Sequence, residues 1–289
     1  MTITPECLAC LYQQALRSCR LVGADEGQIK AVLDATADHL KTFALGSMTP
    51  PEAAVPIYGS LARIIAQSDP IAPYKESATR EAEALLPFVH EKIAQASDPL
   101  DAALRAAIAG NVLDFGAQNH FDITAELDRV FQQPLAVDHL VQLKKQLSSA
   151  QRILVVGDNT GEHLFDALLL EVLAGCYPGK SLFYAVRGAP AINDVTLKEA
   201  KAARLDAHAT LLDSGVDTPG LVLGRASAEF LAHYTQADLI LAKGMGNFEC
   251  LEAGADERIF FLFKVKCAVV AQATGQPLGS LMRMQAQSA

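Results

Sequence analysis

The chain has 289 residues, of which 51% are hydrophobic, and a formal net charge of −9 at pH 7. Such a chain can bury a large hydrophobic core, and its excess of negative charge argues against nucleic acid as a partner. No apolar run reaches the length of a bilayer span, and no basic segment followed by an apolar one stands near residue 1. We therefore expect a cytoplasmic globular protein that does not associate with membranes. The sequence leaves its oligomeric state open.

Apolar residues recur at helical spacing from about residue 5 to about residue 148. Examples are LYQQALRSCRLV, QIKAVLDATADHLKTF and YGSLARIIAQ, with turns indicated at GADEG, MTPPE and SDP. This pattern predicts an all-helical N-terminal lobe, residues 1–148. Cys7 and Cys10 lie about one helical turn apart near its start. That spacing suits metal or redox chemistry and equally suits small apolar side chains on a buried helix face.

The pattern changes at Arg152 to short apolar runs, which we interpret as β-strands. They are RILVVG, SLFYAVR, ATLLDS, DLILAKG and RIFFLFKV, and between them lie the helical segments EHLFDALLLEVLAG, TLKEAKAARL and ASAEFLAHYTQ. Uniformly apolar strands that alternate with helices are typical of a parallel sheet covered on both faces. The sequence therefore predicts a doubly wound α/β domain in residues 149–289, with the helical lobe packed against it as a cap.

Polar clusters follow the predicted strands at the points where those strands end. The segments are GDNTGE after the first strand, RGAPAINDVT after the second, KGMGNFE after the fourth and FKVKC at the end of the fifth. The carboxyl ends of parallel strands meet at one edge of a sheet, where doubly wound folds bind their ligands. We therefore predict that these segments build one shared site.

Three oxygen-bearing side chains in these segments are candidate metal ligands. Asp158, Asn159 and Asp194 supply two carboxylates and one amide oxygen. Such hard ligands suit an octahedral divalent ion such as Mg²⁺ or Mn²⁺, and the absence of histidine and cysteine from the set disfavours zinc. Plainer interpretations remain open. Asp158 and Asn159 could form a turn and helix N-cap, AINDVT an Asx turn that caps the next helix, and KGMGN a glycine turn with positive φ.

Basic side chains are expected at the same edge of the sheet. Arg187, Lys243 and Lys264 bring positive charge to an otherwise acidic protein, as a phosphorylated substrate that bridges to the metal would require. Asn111, in the segment GNVLDFG, could also reach this edge, and Asn193 in AINDVT is a further candidate for substrate binding. A metal site beside basic residues indicates phosphoryl chemistry.

Several of these segments together resemble the damage-control phosphatase family, first catalogued as a domain of unknown function. The motifs occur in the family's order over nearly the whole chain: CLAC, GNVLDFG, GDNTGEHLFD, VRGAPAINDVT, DLILAKGMGNFECL and KVKC. The N-terminal cysteine pair resembles the prokaryotic branch. The resemblance implies a helical N-terminal portion and a Rossmann-like α/β/α core with a mainly parallel sheet. It also implies metal-dependent hydrolysis of phosphometabolites, including sugar phosphates and reactive or damaged by-products.

The resemblance also implies roles for individual residues. Asp158, Asn159 and Asp194 would bind the divalent metal, for which Mn, Mg, Co and Ni are the candidates. The family's phosphate and substrate contacts would fall on Glu162, Lys243, Asn247, Glu249 and Lys264. Asn111, Arg187 and Asn193, which are candidates because of their residue types and positions and not because of the resemblance, complete the predicted substrate site.

The predicted reaction is hydrolysis of a phosphate monoester by a metal-activated water, with Asp158, Asp194 and Lys243 as the catalytic residues. Lys243 would neutralise charge that develops on the phosphoryl oxygens. Asp158 or Asp194 could instead act as general base or as phosphoryl acceptor. The chain lacks the short aspartate-rich nucleophile motif of the haloacid-dehalogenase phosphatases, which favours water.

Two other classes of protein remain alternatives. ILVVGDNTGE resembles the first strand and turn of an S-adenosylmethionine-dependent methyltransferase, but it has only two glycines and lacks the G-x-G-x-x-G spacing. A non-catalytic protein that binds a sugar phosphate or a nucleotide is the third possibility, because a fold alone does not confer chemistry. Metal-dependent release of inorganic phosphate would distinguish the three.

Overall fold

The computed structural model describes residues 1–110 and 123–287. Its N-terminal half is built from helices, as predicted. They are α1 (Pro5–Leu21), α2 (Glu26–Thr42), α3 (Pro50–Ile65), α4 (Ala72–Gln95), α5 (Pro99–Gly110), α6 (Ile123–Gln132) and α7 (Leu140–Ser149). None of the helices described combines the length and the apolar character that a bilayer span requires.

Local sequence explains where two of these helices begin. Asp25 and Gln28 form a capping box at α2, in which each side chain accepts a hydrogen bond from the other residue's backbone N–H. Thr49 and Glu52 form the same arrangement at α3, whose first residue is Pro50. Proline is favoured there because its missing N–H would have no helical acceptor. The predicted turns GADEG and MTPPE are thus helix starts as well as loops.

The C-terminal half alternates strands with helices. The strands are β1 (Val137–Asp138), β2 (Arg152–Val156), β3 (Ser181–Val186), β4 (Thr210–Asp213), β5 (Leu239–Lys243), β6 (Ile259–Lys264) and β7 (Leu281–Gln285). The helices are α8 (Glu162–Cys176), α9 (Leu197–Ala202), α10 (Ala228–Gln236), α11 (Gly244–Leu251) and α12 (Ala268–Thr274). The strands described form a seven-stranded sheet in the order β1-β7-β6-β5-β2-β3-β4, parallel except between β6 and β7. The predicted α/β/α core with a mainly parallel sheet is confirmed.

The five predicted strands are β2 to β6, and the sheet extends beyond them at one edge. β1 has only two residues, too few for any periodicity, and it lies within the segment predicted to be all-helical. β7 carries the fully buried Arg283, which interrupts its apolar pattern and forms two hydrogen bonds with the carboxylate of Asp138. Because that partner is 145 residues away in the chain, the sequence of β7 alone does not mark it as a buried strand.

The predicted domain boundary at residue 148 stays a prediction, and one cluster of the hydrophobic core contains residues from both sides of it. On one face of the sheet, Leu104 and Ile108 of α5 belong to the same buried cluster as Leu169 and Leu173 of α8. Helices α1 to α3 enclose a separate cluster, which includes Leu11, Val32 and Ile57. The later helices of the N-terminal half therefore cover the sheet, and the first three add a smaller unit with its own core.

The sheet topology creates a crevice beside β2. From β2 the chain moves to β3 and β4 on one side, whereas β5 and β6 lie on its other side. Val156 near the end of β2 is paired with Ala242 of β5. The connections leaving β2 and β5 at their carboxyl ends therefore diverge to opposite sides, and doubly wound proteins bind ligands in the gap that this opens.

Candidate active site

Asp158 stands two residues beyond β2, in contact with the start of α11. Gly244, the first residue of α11, has φ +78°, and a Cβ atom at this position would lie 1.9 Å from Asp158 Oδ2. Only glycine leaves room for the carboxylate there. The positive φ predicted for KGMGN is found at Gly244, but this segment is the direct passage from β5 into α11 and not a separate turn. The glycine also shapes the site.

Hydrogen bonds join the loops that follow β2 and β3. Asn159 and Asp194 are bridge partners in a short antiparallel pairing. Val195 N–H donates to Asp158 O at 2.9 Å, and Thr160 N–H donates to Asn193 O at 2.8 Å. The three predicted metal ligands, although 36 positions separate Asp158 from Asp194 in the chain, are held together by backbone contacts.

Asp158 and Asp194 do not cap the helices that follow them. Gly161 occupies the N-cap position of α8, and Thr196 occupies that of α9, where its backbone N–H donates to Glu199 at 2.9 Å. The helix-cap alternative for these two aspartates is thus not what the structure shows.

Asp158, Asn159 and Asp194 line one cavity of about 240 Å³, which we call the acidic cavity. Its opposite wall comes from the helical half of the chain, through side chains of α1 and the start of α3. The lining residues from this half are Glu6, Cys7, Cys10, Leu11, Gln14, Pro50, Pro51 and Ala54. The predicted cysteine pair therefore lies in the wall of the site, where Cys267 joins it. The helical half therefore forms one wall of the crevice.

The carboxylates of the site are buried and difficult to ionise together. Asp158 is 6% exposed and Asp194 is 2% exposed. Burial, with the nearby Glu162 and Asp194 carboxylates, raises the pKa of Asp158 well above its ordinary value. Burial also raises the pKa of Asp194 to about 6, against the opposing effect of Arg187. Excess negative charge in a desolvated cluster is the environment that a bound cation stabilises.

The chemistry of the three donors fits a hard divalent ion. Asn159 Nδ2 donates to Asp158 Oδ2 and to Glu162 Oε1, both at 2.9 Å. These bonds fix the amide through its nitrogen, while its carbonyl oxygen is the atom that would ligate a cation. Among the described residues, no three His, Cys, Asp or Glu side chains form a group that could hold a metal ion. The predicted set has two carboxylates and an amide, so its assignment as a metal site stays a prediction.

Arg187 provides the positive charge nearest to the predicted ligands. Its Nε donates to Asp194 Oδ2 at 2.7 Å, and its Nη2 lies 3.9 Å from Asp158 Oδ1. Nη2 also donates to Asn247 Oδ1 at 3.1 Å. A fully buried guanidinium that touches both loops neutralises part of their charge and orients Asp194.

Asn247 connects four segments of the chain beneath the site. Its Oδ1 accepts from Arg187 and from Leu221 N–H, and its Nδ2 donates to Gly157 O and Lys243 O. Four hydrogen bonds use the full capacity of a side-chain amide. This geometry favours a structural role for Asn247, and its predicted contact with substrate stays a prediction.

Lys243 ends β5 as predicted, but its ammonium group is fully buried beside carboxylates. Nζ donates to Asp166 Oδ1 at 2.6 Å and lies 3.6 Å from Glu162 Oε2. Burial alone would lower the pKa of Lys243, yet Asp166 and Glu162 hold it above its ordinary value. The lysine therefore reaches the predicted metal ligands indirectly, through Glu162 and its hydrogen bond with Asn159.

Asp166 and Lys266 are charged residues of this region that the sequence reasoning missed. Asp166 lies in α8 four positions after Glu162, on the same helix face, and it also accepts a hydrogen bond from Tyr184 Oη at 2.8 Å. A lone carboxylate in the apolar segment HLFDALLL was the available signal. Lys266, in the motif KVKC, lines the acidic cavity.

The remaining predicted residues occupy different positions. Glu249 lines the acidic cavity. Lys264 is partly exposed at the end of β6, and Asn193 contributes its backbone oxygen to Thr160. Asn111 lies outside the described residues. The substrate roles of all four stay predictions.

Glu249 provides a test of the electrostatics of the cavity. Burial raises its pKa from 4.5 to about 7. The folded state therefore holds the Glu249 proton more tightly than the unfolded state does. The stability that comes from this proton is fully present at low pH and is lost as pH rises through 7. We expect Glu249→Gln to increase the free energy of unfolding at about pH 8 by up to ~3 kcal/mol and to change it little at about pH 4.

Thermal unfolding at both pH values, in the presence of a chelator, measures this effect. The matched control is Glu257→Gln at an exposed glutamate, which should show no such pH-dependent gain. Equal stability of the Glu249→Gln variant and the parent at about pH 8 would contradict the conclusion that ionisation of the buried Glu249 carboxylate destabilises the fold.

The fold and the site together define a doubly wound α/β protein with a buried acidic pocket at the switch point of its sheet and a helical cap above it. The family model described as "Damage-control phosphatase ARMT1-like domain" matches residues 3–282. The chain belongs to this family.

Individual relatives agree with this assignment. The chain is 30% identical to a damage-control phosphatase of Pyrococcus horikoshii over 286 residues, covering 99% of this chain and 98% of that protein. It is 33% identical to a damage-control phosphatase of Archaeoglobus fulgidus over 291 residues, covering 98% of each. The crystal structure of a DUF89 family protein from P. horikoshii matches with a TM-score of 0.92 at 30% identity, covering 99% of this chain and all of that one.

Proposed function

We propose that this protein is a metal-dependent phosphatase that hydrolyses small phosphometabolites, either sugar phosphates or damaged and side-product phosphate esters. Family membership and full-length relatives named damage-control phosphatases support phosphatase activity. The observation that carries the metal requirement is the meeting of Asp158, Asn159 and Asp194 in the wall of one buried cavity. Hard oxygen donors in a desolvated acidic cluster are suited to Mn²⁺, Mg²⁺, Co²⁺ or Ni²⁺.

Asp158, Asn159 and Asp194 would hold the cation, which when bound supplies a Lewis acid and lowers the pKa of a coordinated water. The residues around them keep the ligands in place. Asn159 orients the Asp158 carboxylate, and Arg187 orients that of Asp194. These hydrogen bonds hold both carboxylates in place, as the role of fixed metal ligands requires, which supports water rather than an aspartate as the nucleophile.

Positive charge for the phosphoryl group would come from two directions. Arg187 lies beside both predicted carboxylate ligands, and Lys243 stands behind Glu162. Lys266 adds a third charge at the cavity wall. Close to buried groups such as Arg187 and Asp194, such preorganised charges stabilise charge that develops on phosphoryl oxygens more strongly than they would in solution.

A screen of phosphate esters against Mg²⁺, Mn²⁺, Co²⁺ and Ni²⁺ tests this proposal directly. We expect inorganic phosphate release from small sugar phosphates that a chelator abolishes and added metal restores. Methyl transfer from S-adenosylmethionine without phosphate release would favour the methyltransferase alternative. Binding of phosphate esters without turnover under any metal would favour a non-catalytic binding protein.

A further inference from the structure

Ile192 stands between the acidic cavity and a second cavity of about 260 Å³. The second cavity, which we call the side cavity, lies between α3, the turn after it and the loops that follow β3 and β4. Ile192 and Pro219 line both cavities. These two residues therefore form the wall between them, and Ile192 is only two positions from the predicted metal ligand Asp194.

Pro219 is a rigid part of this wall. A Cβ atom on Gly246 would lie 2.1 Å from Pro219 O, so the backbone of this loop packs directly against α11. Thr218 Oγ1 donates to Gly220 O at 2.6 Å, and Leu221 N–H donates to Asn247 Oδ1 at 2.8 Å. The loop is held on both sides of Pro219, so the separation of the cavities at this point does not depend on one side chain.

Ile192, by contrast, is held in an unfavourable backbone conformation. Its φ is +48°, in the left-handed region that a β-branched residue rarely adopts. The turn is closed by a hydrogen bond from Asp194 N–H to Ala191 O at 2.9 Å. Glycine would adopt this φ at no steric cost, so isoleucine lowers stability at this position. Strain of this kind is tolerated where a side chain has a function.

The side cavity is suited to an uncharged group. Its two carboxylates are already paired, Asp69 with Lys75 at 3.1 Å and Asp217 with Arg225 at 2.6 Å. Much of the remaining lining is apolar: Val55, Leu61, Ile71, Ala189, Pro190 and Ala191. An aromatic or aliphatic group would find apolar surface there without leaving a charge unpaired.

We infer that Ile192 limits the size of the alcohol group that the site accepts, by closing the acidic cavity off from an apolar subsite in the side cavity. The inference rests on the proposed phosphatase function. It assigns small, polar phosphate esters to the parent protein. Removal of the isoleucine side chain joins the cavities and admits esters with a bulky apolar alcohol group.

Three variants of Ile192 distinguish its role as a wall between the cavities from the effect of its backbone strain. Ile192→Ala removes the wall and keeps the Cβ atom that disfavours positive φ. Ile192→Gly removes both the wall and this Cβ atom, and Ile192→Leu keeps the side-chain volume. Arg204→Gly is the matched control, since Arg204 has φ +54° at an exposed position and lines neither cavity among the described residues.

The measured quantity is the ratio of kcat/KM for naphthyl phosphate to that for glycerol phosphate. We expect it to rise roughly tenfold or more in Ile192→Ala and Ile192→Gly and to stay at the parent value in Ile192→Leu and Arg204→Gly. Melting temperature should rise by roughly 2–4 °C in the two glycine variants and not in Ile192→Ala. An unchanged ratio in both Ile192→Ala and Ile192→Gly would overturn the inference, as would an equal rise in Ile192→Leu.

Calorimetric binding of naphthyl phosphate to the same variants keeps the test independent of turnover. Ile192→Ala should bind it more tightly than the parent even if the protein releases no phosphate from any ester. In that outcome the proposed activity fails and the subsite stands. If small esters release phosphate and naphthyl phosphate binding is unchanged in all variants, the proposed activity stands and the subsite is refuted.

Discussion

Replacing Asp194 with asparagine is expected to raise the manganese concentration required for half-maximal phosphate release by roughly 10- to 100-fold or more. The substitution keeps the size of the side chain and removes one negative charge from the predicted cation ligands. Excess metal should restore part of the rate, because the remaining ligands, Asp158 and Asn159, still line the acidic cavity. Phosphate release measured against manganese concentration gives the shift.

The structure adds a second effect to this variant, which needs a control. Asp194 is also the hydrogen-bond partner of the buried Arg187, at 2.7 Å, so its loss leaves a guanidinium less well neutralised. Asp256→Asn removes a carboxylate that pairs with Arg258 on the outside of the fold, and it should leave the manganese requirement at the parent value. An Asp194→Asn variant that is folded and has an unaltered metal requirement would remove Asp194 from the ligand set.

Replacing Lys243 with methionine is expected to lower phosphate release by roughly 10²-fold or more while leaving the manganese requirement nearly unchanged. The ammonium group would stabilise transition-state charge and is not itself a metal ligand. Inorganic phosphate release against manganese concentration separates the two roles. If added metal rescued Lys243→Met and failed to rescue Asp194→Asn, the assigned roles would be reversed.

The burial of Lys243 makes a folding control essential for this test. Removing the lysine leaves Asp166 as a buried carboxylate without its cation, a loss that costs about 3–5 kcal/mol in other proteins. The double variant Lys243→Met with Asp166→Asn removes both charges and should recover much of the stability, as measured by denaturant unfolding. If phosphate release returned together with stability, Lys243 would have only a structural role.

The position of these two residues shows how far the sequence can be interpreted. Asp194 and Lys243 were both predicted from their places after apolar strands, and the sheet does bring the two strand ends to one edge. What surrounds each of them was not predictable from spacing. Asp166 and Glu162 are 77 and 81 positions from Lys243 in the chain, and no local pattern shows that a lysine and a helix face will meet.

The core gives a similar contrast. Apolar runs predicted β2 to β6 because a strand covered on both faces excludes polar side chains. β7 was missed because its buried Arg283 is neutralised by Asp138, which lies 145 positions away in the segment predicted to be all-helical. Asn247 is a second example. The sequence predicted it as a substrate contact, and nothing near it in the chain indicated its four internal hydrogen bonds.

By itself, the sequence determined the alternation of strands and helices, the helical character of the first half and the kinds of side chain that follow each strand. These properties depend on local periodicity and residue chemistry. Only the tertiary structure decided that α1 and α3 line the acidic cavity, that Lys243 is paired with Asp166, and that Ile192 separates two cavities. Each of these depends on contacts between segments far apart in the chain, which form only when packing brings their surfaces together.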